Sequence, residues 1–190
     1  VVEQALEDLQ LADVSFCRAR CGFAMNRRLP SPNGYRNFPN PNGPVDHDVP
    51  VLSIRSTAGK LRGILFGYAC HNTTLGFYQF CGDFAGFAQL AIEEANPGAL
   101  ALYLQGCGAD INPYPRGTLE LAKQHGQSLA TAVQSALETV ATPLVGELRT
   151  SYGKATVEYS TPPTKDELVE RTHSSNKYVV IHGQRLLTQL

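Results

Sequence analysis

The chain has 190 residues and a net charge of −1, from 16 Lys and Arg against 17 Asp and Glu. Its 43% hydrophobic and 17% charged content excludes a disordered chain, which needs low hydrophobicity and high net charge. No apolar run approaches the ~20 residues that span a bilayer and no basic stripe stands out, so neither a membrane-spanning helix nor a nucleic-acid partner is expected.

The opening Val1-Val2-Glu3-Gln4 has no Met and no apolar signal-peptide core, and the apolar segment Val179 to Leu190 carries no stop signal. Together they predict a piece of a longer protein, a single partial domain over 1–190. Val2, Ala5, Leu6 and Leu9 recur at helical spacing and predict a short helix over 1–11. Val14 to Ala24 alternate loosely, as a strand does. Leu29 to Pro44 holds Pro30, Pro32, Gly34, Pro39, Pro41, Gly43 and Pro44, which predicts a long loop without regular structure. A structured loop of that length is more often functional than decorative, and Tyr35 and Phe38 suit docking.

Val49 to Ile54 predicts a strand, Ala58-Gly59-Lys60 a hairpin turn, and Leu61 to Cys70 a second strand. The run Ile64 to Cys70 is nearly all apolar, as in a strand covered on both faces. Asp83 is the expected cap of a helix whose apolar face is Phe84, Phe87, Ala88, Ala91, Ile92 and Ala95, and Asn96-Pro97-Gly98 stops it. Ala99 to Leu104 reads as a third buried strand, Gln105 to Gly117 as a loop, and Thr118 as the start of a long helix. Residues 144–159 predict one or two strands around Tyr152-Gly153, and Thr164 caps a final helix. The succession strand, helix, strand, helix builds a parallel unit inside an α/β or α+β mixed sheet, here part of a larger catalytic domain.

In such a unit ligands bind beyond the carboxyl ends of the strands. Two loops sit there: His71-Asn72-Thr73-Thr74-Leu75, and Gly106-Cys107-Gly108-Ala109-Asp110-Ile111-Asn112-Pro113. One supplies an imidazole and a threonine pair. The other supplies a carboxylate, an amide and glycine-permitted backbone N–H groups, the parts of a hydrolytic site with donors for an oxyanion. Each part also has a structural reading, His71 as a cap on strand-end carbonyls and Asp110 as the holder of an Asx turn. His125 is expected at a solvated helix edge. The five cysteines are too few and too scattered for a disulfide scaffold, and no Cys-x-x-Cys pair offers a zinc knuckle. Cys107, between a strand and a later helix, loosely matches a nucleophile elbow and leaves a cysteine hydrolase open.

These segments, taken in order, resemble the neutral/alkaline non-lysosomal ceramidase family. Asn26-Arg27 before the Pro-rich loop with Tyr35, Asp46 to Leu52, Ala69-Cys70-His71-Asn72-Thr73-Thr74, Gly82-Asp83-Phe84-Ala85-Gly86-Phe87-Ala88 and Leu104 to Pro113 each resemble a segment of that family's catalytic domain. The resemblance implies a zinc-dependent hydrolase cleaving the amide bond of an N-acyl sphingoid base or related N-acyl lipid. It implies His71 as a zinc ligand, Arg27, Asp110 and Asn112 as catalytic residues, and Asn26, Thr73 and Asp83 at the substrate. It further implies a secreted or periplasmic protein with peripheral membrane contact. Asn112 and Ala109 depart from the family's Gly-Asp-Val-Ser-Pro signature, which has Ser and Gly there. Asn112 cannot act as a nucleophile, but its amide can donate to an oxyanion. The family's other zinc ligands have no counterpart in this sequence and are expected outside it. A pseudo-enzyme binding domain that lost the serine is the non-catalytic alternative.

Overall fold

The structure, a computed structural model, describes residues 2–32, 34–147 and 149–189. They group into two compact units, Val1–Gly146 and Glu147–Leu190.

In the first unit a short helix α1 (Val2–Glu7) precedes strand β1 (Ala12–Arg20). The helix is shorter than its pattern predicts because none of its residues is buried, and packing supplies most helix stability. Two short strands follow, β2 (Ala24–Asn26) and β3 (Arg28–Ser31), then β4 (Gly34–Asn37). β3 and β4 pair as a hairpin, so the Pro-rich segment is more regular than its composition predicts. Both strands of an isolated hairpin are edges, where proline is tolerated. Strands β5 (Asp48–Ser56) and β6 (Leu61–Tyr68) flank the expected turn, with Gly59 at φ +81°. Helix α2 (Asp83–Ala95) crosses over to β7 (Leu100–Gln105), which pairs parallel with β6. β8 (Ile111–Pro113), helix α3 (Leu119–Leu137) and β9 (Thr142–Leu144) complete the unit.

The main sheet has the order β7-β6-β5-β1-β9, antiparallel except for β6 with β7. It is the mixed α/β arrangement with a strand-helix-strand unit that the pattern predicts. Register places Val51, Ile64, Phe66 and Ala101 on one face. They join one buried cluster with Phe84, Ala88 and Ile92 of α2 and Leu129, Val133 and Ala136 of α3. The two helices cross where residue 126 has no side chain: a Cβ on Gly126 would lie 2.5 Å from the Phe87 Cβ and 2.9 Å from the Phe84 carbonyl oxygen. The opposite face is open. Leu100, Leu102 and Leu104 are exposed, so β7 is an edge strand covered on one side and not the fully buried strand that its composition predicts.

The second unit pairs helices α4 (Lys165–Arg171) and α5 (Lys177–Leu187), with Leu168 buried between them. Thr164 caps a helix as expected, but that helix is α4 and not the final one: its hydroxyl accepts from the Glu167 N–H and Glu167 returns a bond to the Thr164 N–H, while Asn176 caps the last helix, α5. The strands expected at 144–159 are absent among the described residues beyond β9, and Leu148 lies outside them. Residues 149–162 are exposed, and without a ladder of backbone hydrogen bonds to a neighbour they form no strand.

Candidate functional site

β6 and β7 run side by side with Tyr68 opposite Gln105, so the loops after them leave the sheet together. The Gly106 N–H donates to the Tyr68 carbonyl at 3.0 Å. A Cβ on Gly108 would fall 2.7 Å from the Cys70 nitrogen, so this close passage of two backbones requires glycine. The second loop then folds into β8, which pairs with β2 through Met25 opposite Asn112. The His71 N–H donates to the Ile111 carbonyl at 3.2 Å and fastens the first loop to the same ribbon.

This arrangement gathers His71, Thr73, Asn112 and Arg27. Arg27 donates through Nη1 to the Asn112 Oδ1 at 3.3 Å and through Nη2 to the Ala109 carbonyl at 2.8 Å. Thr73 Oγ1 donates to the same Asn112 Oδ1 at 3.4 Å. His71 Nε2 lies 3.3 Å from the Ala109 carbonyl. A carbonyl can only accept, so this contact places a proton on Nε2 and leaves the neutral ring's lone pair on Nδ1. Asn112 is 9% exposed, and with Oδ1 held by two donors its Nδ2 is the amide's remaining hydrogen-bonding group.

Asn26, Asp110 and Asp83 are placed differently. Asn26 is 2% exposed and spends its polar atoms inside the protein. Its Nδ2 donates to the Pro44 carbonyl at 3.0 Å and to Asp110 Oδ2 at 2.9 Å, and its Oδ1 accepts from the Arg28 N–H at 2.8 Å. Gly43 makes room, since a Cβ there would meet the Asn26 side chain at 2.5 Å. Asn26 thus binds the Pro-rich loop to Asp110. Asp83 does not cap α2. It is the helix's first residue, at φ +52° after Gly82, and its carboxylate accepts from the Leu75 and Phe84 N–H groups at 2.9 and 2.7 Å. Asp tolerates this left-handed conformation, and here it ties the His71 loop to the helix.

Several other expectations change. The glycine N–H groups do not point out as oxyanion donors: Gly106 donates to Tyr68 and Gly108 to Gly106. No nucleophile elbow forms at Cys107, because β8 and an irregular loop separate β7 from α3. His125 is buried, its Nε2 donating to the Pro115 carbonyl at 2.7 Å and its ring stacking on Phe23 at 4.4 Å. It anchors the loop that follows Asn112.

Beneath the site, burial raises the proton affinity of three groups. Burial pushes the Tyr68 and Tyr103 hydroxyls up, and it pushes the Cys70 thiol up with the nearby Asp83 charge adding to it. All three stay neutral. Tyr68 donates to the Cys21 carbonyl at 2.7 Å and accepts from the Ala24 N–H at 3.1 Å, which fixes the start of β2 over β6. Its structural role, like that of the Ala109 carbonyl, has no motif in the sequence.

A cavity of about 250 Å³ opens beside Arg27 and Asn112, with Met25, Phe38, Tyr114 and Arg116 among its walls. Arg116 is a further candidate binding residue. Its only sequence signal is a cation in the loop after Asn112.

Two solved structures share this fold. The neutral ceramidase from Pseudomonas aeruginosa aligns over 77% of this chain with a TM-score of 0.62 and 18% identity. A structure described as ceramidase complexed with C2 aligns over 76% with a TM-score of 0.63 and 18% identity. The alignments span 26% and 25% of those chains, so this chain corresponds to about a quarter of either. Neither a family model nor a curated protein sequence matches it. The comparisons support a shared fold.

The residues present do not fit a catalytic zinc by themselves. Such a zinc takes about three protein ligands, and no three His, Cys, Asp or Glu side chains come together among the described residues. The Nδ1 lone pair of His71 suits one ligand of such a set, since a metal-bound imidazole commonly donates its other N–H to a carbonyl.

Proposed function

We propose that the chain carries part of the active site of a hydrolase that cleaves the amide bond of an N-acyl lipid. The observation that carries the reading is the held carboxamide of Asn112. Arg27 and Thr73 fix its oxygen, so its Nδ2 is presented as a positioned donor beside the cavity. An amide donor suits the oxygen of a carbonyl under attack, where negative charge develops. Arg27 adds positive charge and orients the amide, while Asp110 and Asn26 hold the backbone that carries both. His71 stands beside the shared Ala109 carbonyl with a lone pair on Nδ1. The zinc that the family resemblance implies would supply a hydroxide nucleophile near neutral pH. This chain offers it one ligand, His71.

The similarity of fold to two ceramidases supports the hydrolase class. The loop after Thr74 supports a lipid substrate. Tyr78 and Phe80 are fully exposed there and Phe77 is partly so. Exposed aromatics of this kind suit the boundary between lipid headgroups and water. Those aromatics support a substrate met at a membrane surface, and the family resemblance implies a secreted or periplasmic setting.

The test uses the full-length protein. Fatty-acid release from N-acyl substrates is measured with zinc content in parallel. The reading predicts turnover, and loss of both zinc and turnover in His71→Ala. Stoichiometric zinc retained by that variant contradicts the ligand role. Absence of turnover across sphingoid, ethanolamine and amino-acid amides contradicts the hydrolase. Cys107→Ser retains activity on this account, and its inactivation with the fold intact would favour the cysteine hydrolase.

A further inference from the structure

The cavity beside Asn112 has two cationic walls and no acidic one. Arg27 and Arg116 both line it, while Met25, Phe38, Pro39 and Tyr114 supply apolar surface. Among the described residues the ion pairs are Arg18 with Asp48 and Arg62 with Asp8, so neither cavity arginine has a carboxylate partner. No Asp or Glu lines the cavity, and behind its Asn26 wall the Asp110 Oδ2 already accepts from the Asn26 amide. The Arg27 Nε is buried without a partner. Two guanidinium groups without a carboxylate partner on one small cavity favour an anion, and the planar fork of arginine matches a carboxylate.

Resting on the amide-hydrolase reading, we propose that the amine half of the substrate bears a carboxylate, so that the substrate is an N-acyl amino acid with an apolar side chain. The size of the cavity agrees. At about 250 Å³ it lies below the ~300–1,000 Å³ that holds a drug-sized ligand. It accommodates a carboxylate and a short apolar side chain. Arg116 pairs with the carboxylate. Met25, Phe38 and Tyr114 pack the apolar side chain, and the scissile carbonyl lies toward Asn112. Arg116 reaches the carboxylate, not the reacting bond, and its role is specificity.

The test compares N-hexanoyl-leucine with N-hexanoyl-leucinol, which differ only in carboxylate against neutral CH₂OH. Hydrolysis and calorimetric binding are measured on the full-length protein and on Arg116→Ala. The proposal predicts that the acid binds and turns over about 10- to 100-fold better than the alcohol, the range that one hydrogen bond to a charged group sets. It predicts that Arg116→Ala brings this ratio down by about tenfold or more. Equal binding of acid and alcohol, or a ratio that Arg116→Ala does not move, overturns the carboxylate site. Turnover of the alcohol alongside such a result leaves the hydrolase standing. If neither compound is cleaved, the hydrolase reading fails, and binding of the acid alone still decides the anion site. Stronger binding of N-hexanoylethanolamine phosphate than of the acid overturns the carboxylate in favour of phosphate.

Discussion

Replacement of Asn26 tests whether the site is held by its buried scaffold. Asn26→Ala removes three hydrogen bonds: to the Pro44 carbonyl, from the Arg28 N–H, and to the Asp110 carboxylate. Two neutral bonds at about 1 kcal/mol each and one charge-assisted bond at about 1.5–3 kcal/mol give a loss of roughly 3–5 kcal/mol. Asn26→Asp keeps the shape but sets a carboxyl oxygen 2.9 Å from Asp110 Oδ2, where Nδ2 now stands. Two carboxylates at that distance cannot both be charged, so the folded variant holds a shared proton more tightly than the unfolded chain does. The sign follows from linkage. A folded-state proton affinity raised above the unfolded value gives stability that is complete below the ordinary carboxylate pKa of about 4 and is lost as pH rises. Urea unfolding of Asn26→Asp and the parent at pH 4 and pH 7, with equal m-values, therefore shows a stability gap that widens toward pH 7. An equal gap at both pH values refutes the Asn26–Asp110 contact as the cause.

Three more outcomes follow from buried groups. The Thr74 hydroxyl is buried without a partner, so Thr74→Val leaves stability unchanged or raises it by up to about 2 kcal/mol, and a loss above 1 kcal/mol by urea unfolding means the hydroxyl is bonded. Cys17, Cys21 and Cys70 are buried while Cys81 and Cys107 are exposed, so a disulfide reagent titrates two thiols fast in the native protein and all five after denaturation. Fast reaction of more than two would place a buried cysteine wrongly. Burial raises the Tyr68 and Tyr103 proton affinities above the ordinary value, so their neutral forms favour the fold below pH ~10 and this stability is lost as pH rises past it. In an ultraviolet titration these two of the eight tyrosines ionise only with unfolding, and a single step of all eight near pH 10 with the fold intact contradicts their burial.

The sheet was legible where local pattern and tertiary context agree. The apolar run Ile64 to Cys70 and the Asn96-Pro97-Gly98 stop located β6, which ends two residues earlier at Tyr68, and the end of α2, and with them the loops that carry His71 and Asn112. β7 shows the limit. Its leucines 100, 102 and 104 read as buried because composition does not say that β7 is an edge. Asp83 read as a cap because its type favours one, but an N-cap has extended backbone and Asp83 is left-handed. His125 read as solvated because its partners, Phe23 and Pro115, arrive from other segments. The site's residue types were visible in the sequence. Their linkage through the Ala109 carbonyl was not, since a backbone oxygen carries no sequence signal.

The most direct test of the central claim is steady-state hydrolysis of an N-acyl amide by the full-length protein and by Asn112→Ala. A positioned amide donor to the developing oxyanion is worth roughly 10²–10³ in rate. Because that bond strengthens mainly in the transition state, kcat falls by about that factor and KM changes little. An unchanged kcat in Asn112→Ala, with the fold intact, would contradict the account and leave Asn112 as a residue that only shapes the turn before Pro113.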